Sequence, residues 1–157
     1  MGASGWEYLT EYDGDAGAAL DALRARVFRE EYGDGSAYRS LEELYADEEF
    51  MEEEGTHTIL DIVRVVAIDD PPEPFRPSDH GTLRPLAADR VAHHFGTDRP
   101  TVEQYRKLVA AFEEVTSHEE YERSLFGECR MRWTGCYVVL HSDGSPTHLG
   151  IFGFSGD

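Results

Sequence analysis

The sequence predicts an α+β fold: one domain, a small mixed or antiparallel sheet with helices packed mainly on one face, and a C-terminal β-hairpin. Three observations carry that expectation. Two strand-like runs, residues 132–141 and 147–154, flank Ser142-Asp143-Gly144-Ser145, and Asp-Gly between such runs is a strong hairpin signal. Helix-start signatures recur upstream of them, with Ser or Thr three residues before Glu or Gln. The resulting element order is β-α-α-β-(β)-α-α-α-β-β, which lacks the regular alternation of a doubly wound sheet. At 157 residues the chain suits one domain of roughly 100–200 residues.

Residues 6–12 open the fold as a strand, with Trp6, Tyr8 and Tyr12 in step. Asp13-Gly14-Asp15 breaks it, and Asp15 is placed to cap a helix carrying Leu20, Leu23 and Val27 that ends near Gly33. Ser40 and Glu43 form a capping box for a second helix running to about Glu54, with Leu41, Leu44, Tyr45 and Met51 inward and Gly55 as its stop. Residues 58–68 are apolar on both faces, which predicts a central strand.

A proline-rich loop spans residues 70–77, followed by a short strand at 81–84 and a helix at 86–95 stopped by Gly96. Thr101 and Gln104 cap the next helix, whose inner side is Val102, Tyr105, Leu108, Val109 and Phe112. Ser117 and Glu120 cap a short one reaching about Phe126. The expected core includes Leu23, Val27, Leu60, Ile62, Val63, Leu108, Phe112, Val138 and Ile151.

Composition excludes several function classes. Net charge is −18, from 32 acidic against 14 basic residues, whereas nucleic-acid and anionic-membrane binding need a basic face. No apolar run approaches the roughly 20 residues of a membrane span. Residues 1–8 have no basic, apolar leader pattern, so the expected location is cytoplasmic, with Cys129 and Cys136 reduced and unlinked. The single lysine, Lys107, sits in a helical pattern rather than a Gly-rich phosphate loop.

Motif by motif, the catalytic candidates fall short. Gly153-Phe154-Ser155-Gly156 lacks the spacing and the following helix of a nucleophile elbow. Asp13 to Gly17 begins like a calcium loop, but Ala18 and Arg24 stand where the glycine and glutamate belong. Among the seven histidines, Asp89 with His93 and His118 with Glu122 have helical i,i+4 spacing, and His141 and His148 bracket the hairpin turn. None of these reaches the four ligands of a closed zinc site. Cys136, beside Tyr137 and Val138, reads as a small buried hydrophobe. No catalytic residue, metal or cofactor is therefore expected.

The remaining feature is acidic. Between Arg39 and Arg64 there is neither lysine nor arginine, while Glu42, Glu43, Asp47, Glu48, Glu49, Glu52, Glu53, Glu54 and Asp61 lie in the interval. Helical periodicity over residues 40–54 aims Glu42, Glu43, Glu49 and Glu53 outward as one negative patch. The expectation is a non-catalytic interaction protein that binds a basic protein partner, in an immunity- or inhibitor-like neutralising role. The alternative is a small enzyme or ligand-binding domain built from dispersed His, Tyr, Arg and Asp residues. The oligomeric state is left open.

Overall fold

Asp143 and Gly144 both have positive φ, 51° and 79°, the backbone of a two-residue type I′ turn that matches the twist of the strands it joins. That turn fixes the centre of a five-stranded mixed sheet in a computed structural model that describes residues 3–33, 38–68 and 76–156. The strands are β1 (Ala3–Glu11), β2 (Arg64–Val65), β3 (Thr82–Pro85), β4 (Thr134–Ser142) and β5 (Ser145–Gly156), in the spatial order β1-β5-β4-β3-β2. β5 lies antiparallel between β1 and β4, and β3 and β2 continue the sheet in parallel. The mixed α+β architecture and the C-terminal hairpin agree with the sequence reading.

The helices are α1 (Ala16–Tyr32), α2 (Leu41–Ala46), α3 (Glu48–Glu53), α4 (Ala88–Phe95), α5 (Val102–Phe112) and α6 (His118–Arg123). They cover both faces of the sheet, not mainly one. Strand alternation sends Trp6, Leu83, Leu149 and Ile151 to a core shared with Leu20, Leu23 and Val27 of α1 and Leu44 of α2. It sends Cys136, Val138, Leu140 and Phe152 to a second core shared with Phe95 of α4, Tyr105 of α5 and Phe126. Apolar residues at consecutive positions of β4 and β5 require a cover on each side.

Residues 58–68 are the main correction. They form a 3-10 turn at Ile59–Asp61 and then the two-residue β2 at the edge of the sheet, not a central strand. Ile59, Leu60 and Ile62 are fully buried because the turn inserts them under α1, while Val63 is 50% and Ile68 55% exposed. Val63 therefore leaves the expected core. Leu108 and Phe112 are only partly buried against the second core, and the other expected core residues are buried. The predicted loop at 70–77 falls largely outside the described residues; its end forms a 3-10 turn at Pro77–Asp79.

The second helix is also revised. Asp47 leaves helical geometry (φ −81°, ψ 85°) and divides it into α2 and α3. Its Oδ1 accepts from Phe50 N at 3.0 Å, so the residue that ends one helix caps the next. Phe50, rather than Met51, anchors α3, in an aromatic group with Tyr32 and Tyr38. The other caps form at the predicted residues, but Glu43 and Glu120 reach back to Arg39 N and Thr116 N rather than to Ser40 N and Ser117 N, so those two predicted boxes are not closed. Asp15 Oδ1 accepts from Ala18 N, Ser40 Oγ from Glu43 N and Ser117 Oγ from Glu120 N, and Thr101 and Gln104 make a complete capping box.

Candidate functional site

Glu42, Glu43, Glu49 and Glu53 are all exposed. The break at Asp47 separates them into two pairs, so they do not share one continuous helical face. Glu49 and Glu53 stand one turn apart on α3, whereas Glu42 and Glu43 are neighbours on α2 and diverge by about 100°. Glu43 is partly committed, since its Oε2 accepts from Arg39 N at 2.7 Å. Asp47 is structural: Tyr38 OH donates to its Oδ2 at 2.6 Å. That bond holds the Asp47 carboxyl below its usual range and pushes the Tyr38 hydroxyl up to about 12. Ion pairs on the described surface lie elsewhere, among them Arg26–Glu30 on α1 and Arg123–Glu119 on α6.

The polar groups that are buried tie each core to the sheet rather than converge on a substrate space. Trp6 lies across Gly135 and Gly153; a Cβ at Gly153 would stand 2.5 Å from the indole. Its Nε1 donates to Ser155 Oγ at 3.0 Å, Ser155 Oγ donates to Asp61 Oδ2, and Thr56 Oγ1 donates to Asp61 Oδ1 at 2.6 Å. Ser155 is fully buried inside β5, so the serine of the elbow-like tail serves as a link in this chain. On the opposite face Tyr105 lies over Gly150, and its hydroxyl donates to Ile151 O at 3.1 Å and Tyr8 O at 3.3 Å.

Both cysteines are free and buried. The two buried thiols act on each other, which holds Cys129 below and Cys136 well above the ordinary thiol range. Cys129 Sγ also donates to Thr134 O at 3.3 Å. Glu128 is shared by Arg90 (2.5 Å) and His94 (2.9 Å). Burial works to raise its pKa, but the hydrogen bonds from Arg90 and His94 outweigh burial and hold the carboxyl below its ordinary value. Arg84 and Asp79 form a buried pair at 2.6 Å.

The histidines are dispersed. His118 meets Glu122 at 3.3 Å on the exposed side of α6, and His93 and His94 stack edge to face on α4. Across the hairpin His148 pairs with Leu140 and His141 with Pro146, so the two do not face each other. Among the described residues no three His, Cys, Asp or Glu side chains gather as a metal site would require. Nor is any helix among them long and apolar enough to cross a membrane.

Open clefts mark the surface of the described residues. One, of about 590 Å³, is lined by His118, Tyr121, Glu122, Arg130, Arg132 and Phe154 on the α5 face. Another of about 530 Å³ lies between α1 and the β1 and β5 ends near Tyr12 and His148. A third of about 430 Å³ lies where β3 meets α4, near Leu86 and His141. Sequence reasoning missed the Trp6–Ser155–Asp61 chain, whose members are up to 149 residues apart and share no local pattern. Comparison with protein-family models, with curated proteins and with solved structures finds no match for this chain.

Proposed function

We propose that the protein is a non-catalytic, cytoplasmic binding protein that docks a basic protein partner through the acidic surface of α2 and α3. The observation that carries this reading is the exposure of Glu42, Glu49 and Glu53 on two short helices fixed to the core by Leu44 and Phe50. Such a surface attracts a cationic partner over roughly the 8–10 Å Debye length at physiological salt. A neutralising, inhibitor-like role suits a chain of this size and charge. The buried hydroxyls and carboxylates are occupied in structural hydrogen bonds, which favours binding over catalysis.

The test is to capture a basic partner at low salt and measure its association with the Glu49→Lys/Glu53→Lys variant. Association slowed at least tenfold, with dissociation little changed, supports the reading, because long-range fields act mainly on encounter. An unchanged association rate at low salt rejects it.

One observation favours a second reading, a small-ligand site. The 590 Å³ cleft has the size of a ligand pocket, and Arg130 and Arg132 on its wall suit an anion. Calorimetric titration with inorganic phosphate, repeated on Arg130→Ala/Arg132→Ala, tests it.

A further inference from the structure

β1 is an edge strand nine residues long, and its backbone orientation is settled by two hydrogen bonds. Tyr12 N donates to Thr147 O, so the even-numbered residues of this segment turn their N–H and C=O groups toward β5. The odd-numbered residues Gly5, Glu7 and Leu9 turn theirs away from the sheet. Arg26 confirms this direction from outside: its Nη2 donates to Leu9 O at 3.1 Å and closes the edge there. Gly5 has no side chain and is exposed, so its backbone is open to solvent. The strand is also rigid, held on one face by the Trp6–Ser155 bond and on the other by Tyr105 against Tyr8 O.

Acidic groups flank this edge on both sides of the sheet. On the α5 face Glu7 lies near Glu113, which closes the C-terminal end of α5 where unpaired carbonyls add partial negative charge. On the α1 face the Glu31 carboxylate adds to the negative field at Tyr8. Desolvation, and then Glu113, raise the pKa of Glu7, a carboxylate held in a negative setting. These charges oppose self-pairing, because two copies of β1 laid edge to edge would bring their Glu7 and Glu11 carboxylates together. The cation placed at this edge, Arg26, is engaged by Leu9 O and Glu30, so the acids complement a cationic strand instead.

We infer that the outer edge of β1, from Gly5 to the Leu9 N–H and short of the carbonyl that Arg26 occupies, is a strand-addition site for an extended peptide segment carrying two adjacent basic residues. Successive side chains of an added strand alternate between faces. One basic residue therefore faces Glu7, on the side where Glu113 adds negative field, and its neighbour faces the Tyr8 side, where Glu31 does so. The main-chain bonds supply affinity, and the carboxylates select the sequence. This surface is separate from the α2–α3 acids and does not depend on them.

The probe is an acetylated, amidated hexapeptide, Thr-Val-Lys-Lys-Val-Thr, titrated into the 15N-labelled full chain. Amide shifts are expected at Gly5, Glu7 and Leu9. Glu7→Gln/Glu113→Gln should weaken binding about tenfold, and replacing both lysines by glutamates should abolish it. Two N-methylated peptides, blocked on alternate residues in opposite phase, should differ: one binds and the other does not. Thermal unfolding of the Gln variant checks that it remains folded. Equal binding by both methylated peptides, or no β1 shifts at millimolar peptide in low salt, overturns the inference. Shifts confined to Glu48–Glu53 also overturn it while supporting the α2–α3 reading, and Glu49→Lys/Glu53→Lys should leave β1 binding unchanged.

Discussion

Each face of the sheet carries a large aromatic laid on glycine, yet the two are tied down differently. On the α1 face Trp6 covers Gly135 and Gly153 and enters a chain of side chains, Ser155, Asp61 and Thr56. On the α5 face Tyr105 covers Gly150 and bonds only to backbone carbonyls. A carbonyl on the strand ladder has other partners and loses little when an extra donor is withdrawn. A buried hydroxyl–carboxylate chain loses more, since each member depends on the next and an unsatisfied polar group is costly inside. The contrast predicts a cooperative lock on one face and a tolerant one on the other.

The largest effect should come from Trp6→Ala, about 3–5 kcal/mol, because it empties the glycine floor as well as removing the donor to Ser155. Urea unfolding measures it. Asp61→Asn keeps the volume but removes the charged acceptor of two hydroxyls, and about 1–3 kcal/mol should be lost. Tyr105→Phe keeps the ring and removes only the hydroxyl, at about 0.5–1.5 kcal/mol. Equal losses for Asp61→Asn and Tyr105→Phe would break the comparison. Double-mutant cycles sharpen it, with strong coupling expected between Asp61 and Ser155 and little between Asp61 and Tyr105.

A last effect is pH-dependent and belongs to the α5 face. The folded-state pKa of Glu128 lies below its ordinary value, so the unfolded chain takes up this proton first as pH falls. The stabilisation is therefore present above the ordinary carboxylate pKa and is lost as pH drops through the lowered one. Glu128→Gln should flatten the acid limb of a stability-against-pH curve and leave the neutral region's slope unchanged.

What was legible in the sequence follows the range of the interactions involved. Asp143-Gly144 encodes its hairpin within four residues, and Asp15, Ser40, Thr101 and Ser117 mark helix starts through bonds three residues long. Residues 58–68 misled because burial and strand formation are separate things: Ile59, Leu60 and Ile62 are buried by a turn beneath α1, a placement that alternation cannot distinguish from a sheet interior. Asp47 misled because its capping bond to Phe50 competes with helix continuation inside an otherwise helical pattern. The acidic residues were legible as exposed, but their division between α2 and α3 was not. The edge of β1 was invisible, since strand order joins Ala3 to Gly156 and no local pattern reports that pairing.

The bond from Trp6 to Ser155 also sets a schedule for synthesis. β5 is the strand that joins β1 to the rest of the sheet, and it leaves the ribosome after α1 to α6 have emerged. Until then Trp6 has no floor, β1 has no ladder partner, and the apolar sides of α1 and α5 face a sheet without a centre. Closing a loop of such length is slow, and the waiting chain exposes its cores to other molecules. A nascent chain arrested before residue 145 should therefore be a ready client for chaperones, and emergence of β5 should end that dependence in one cooperative step.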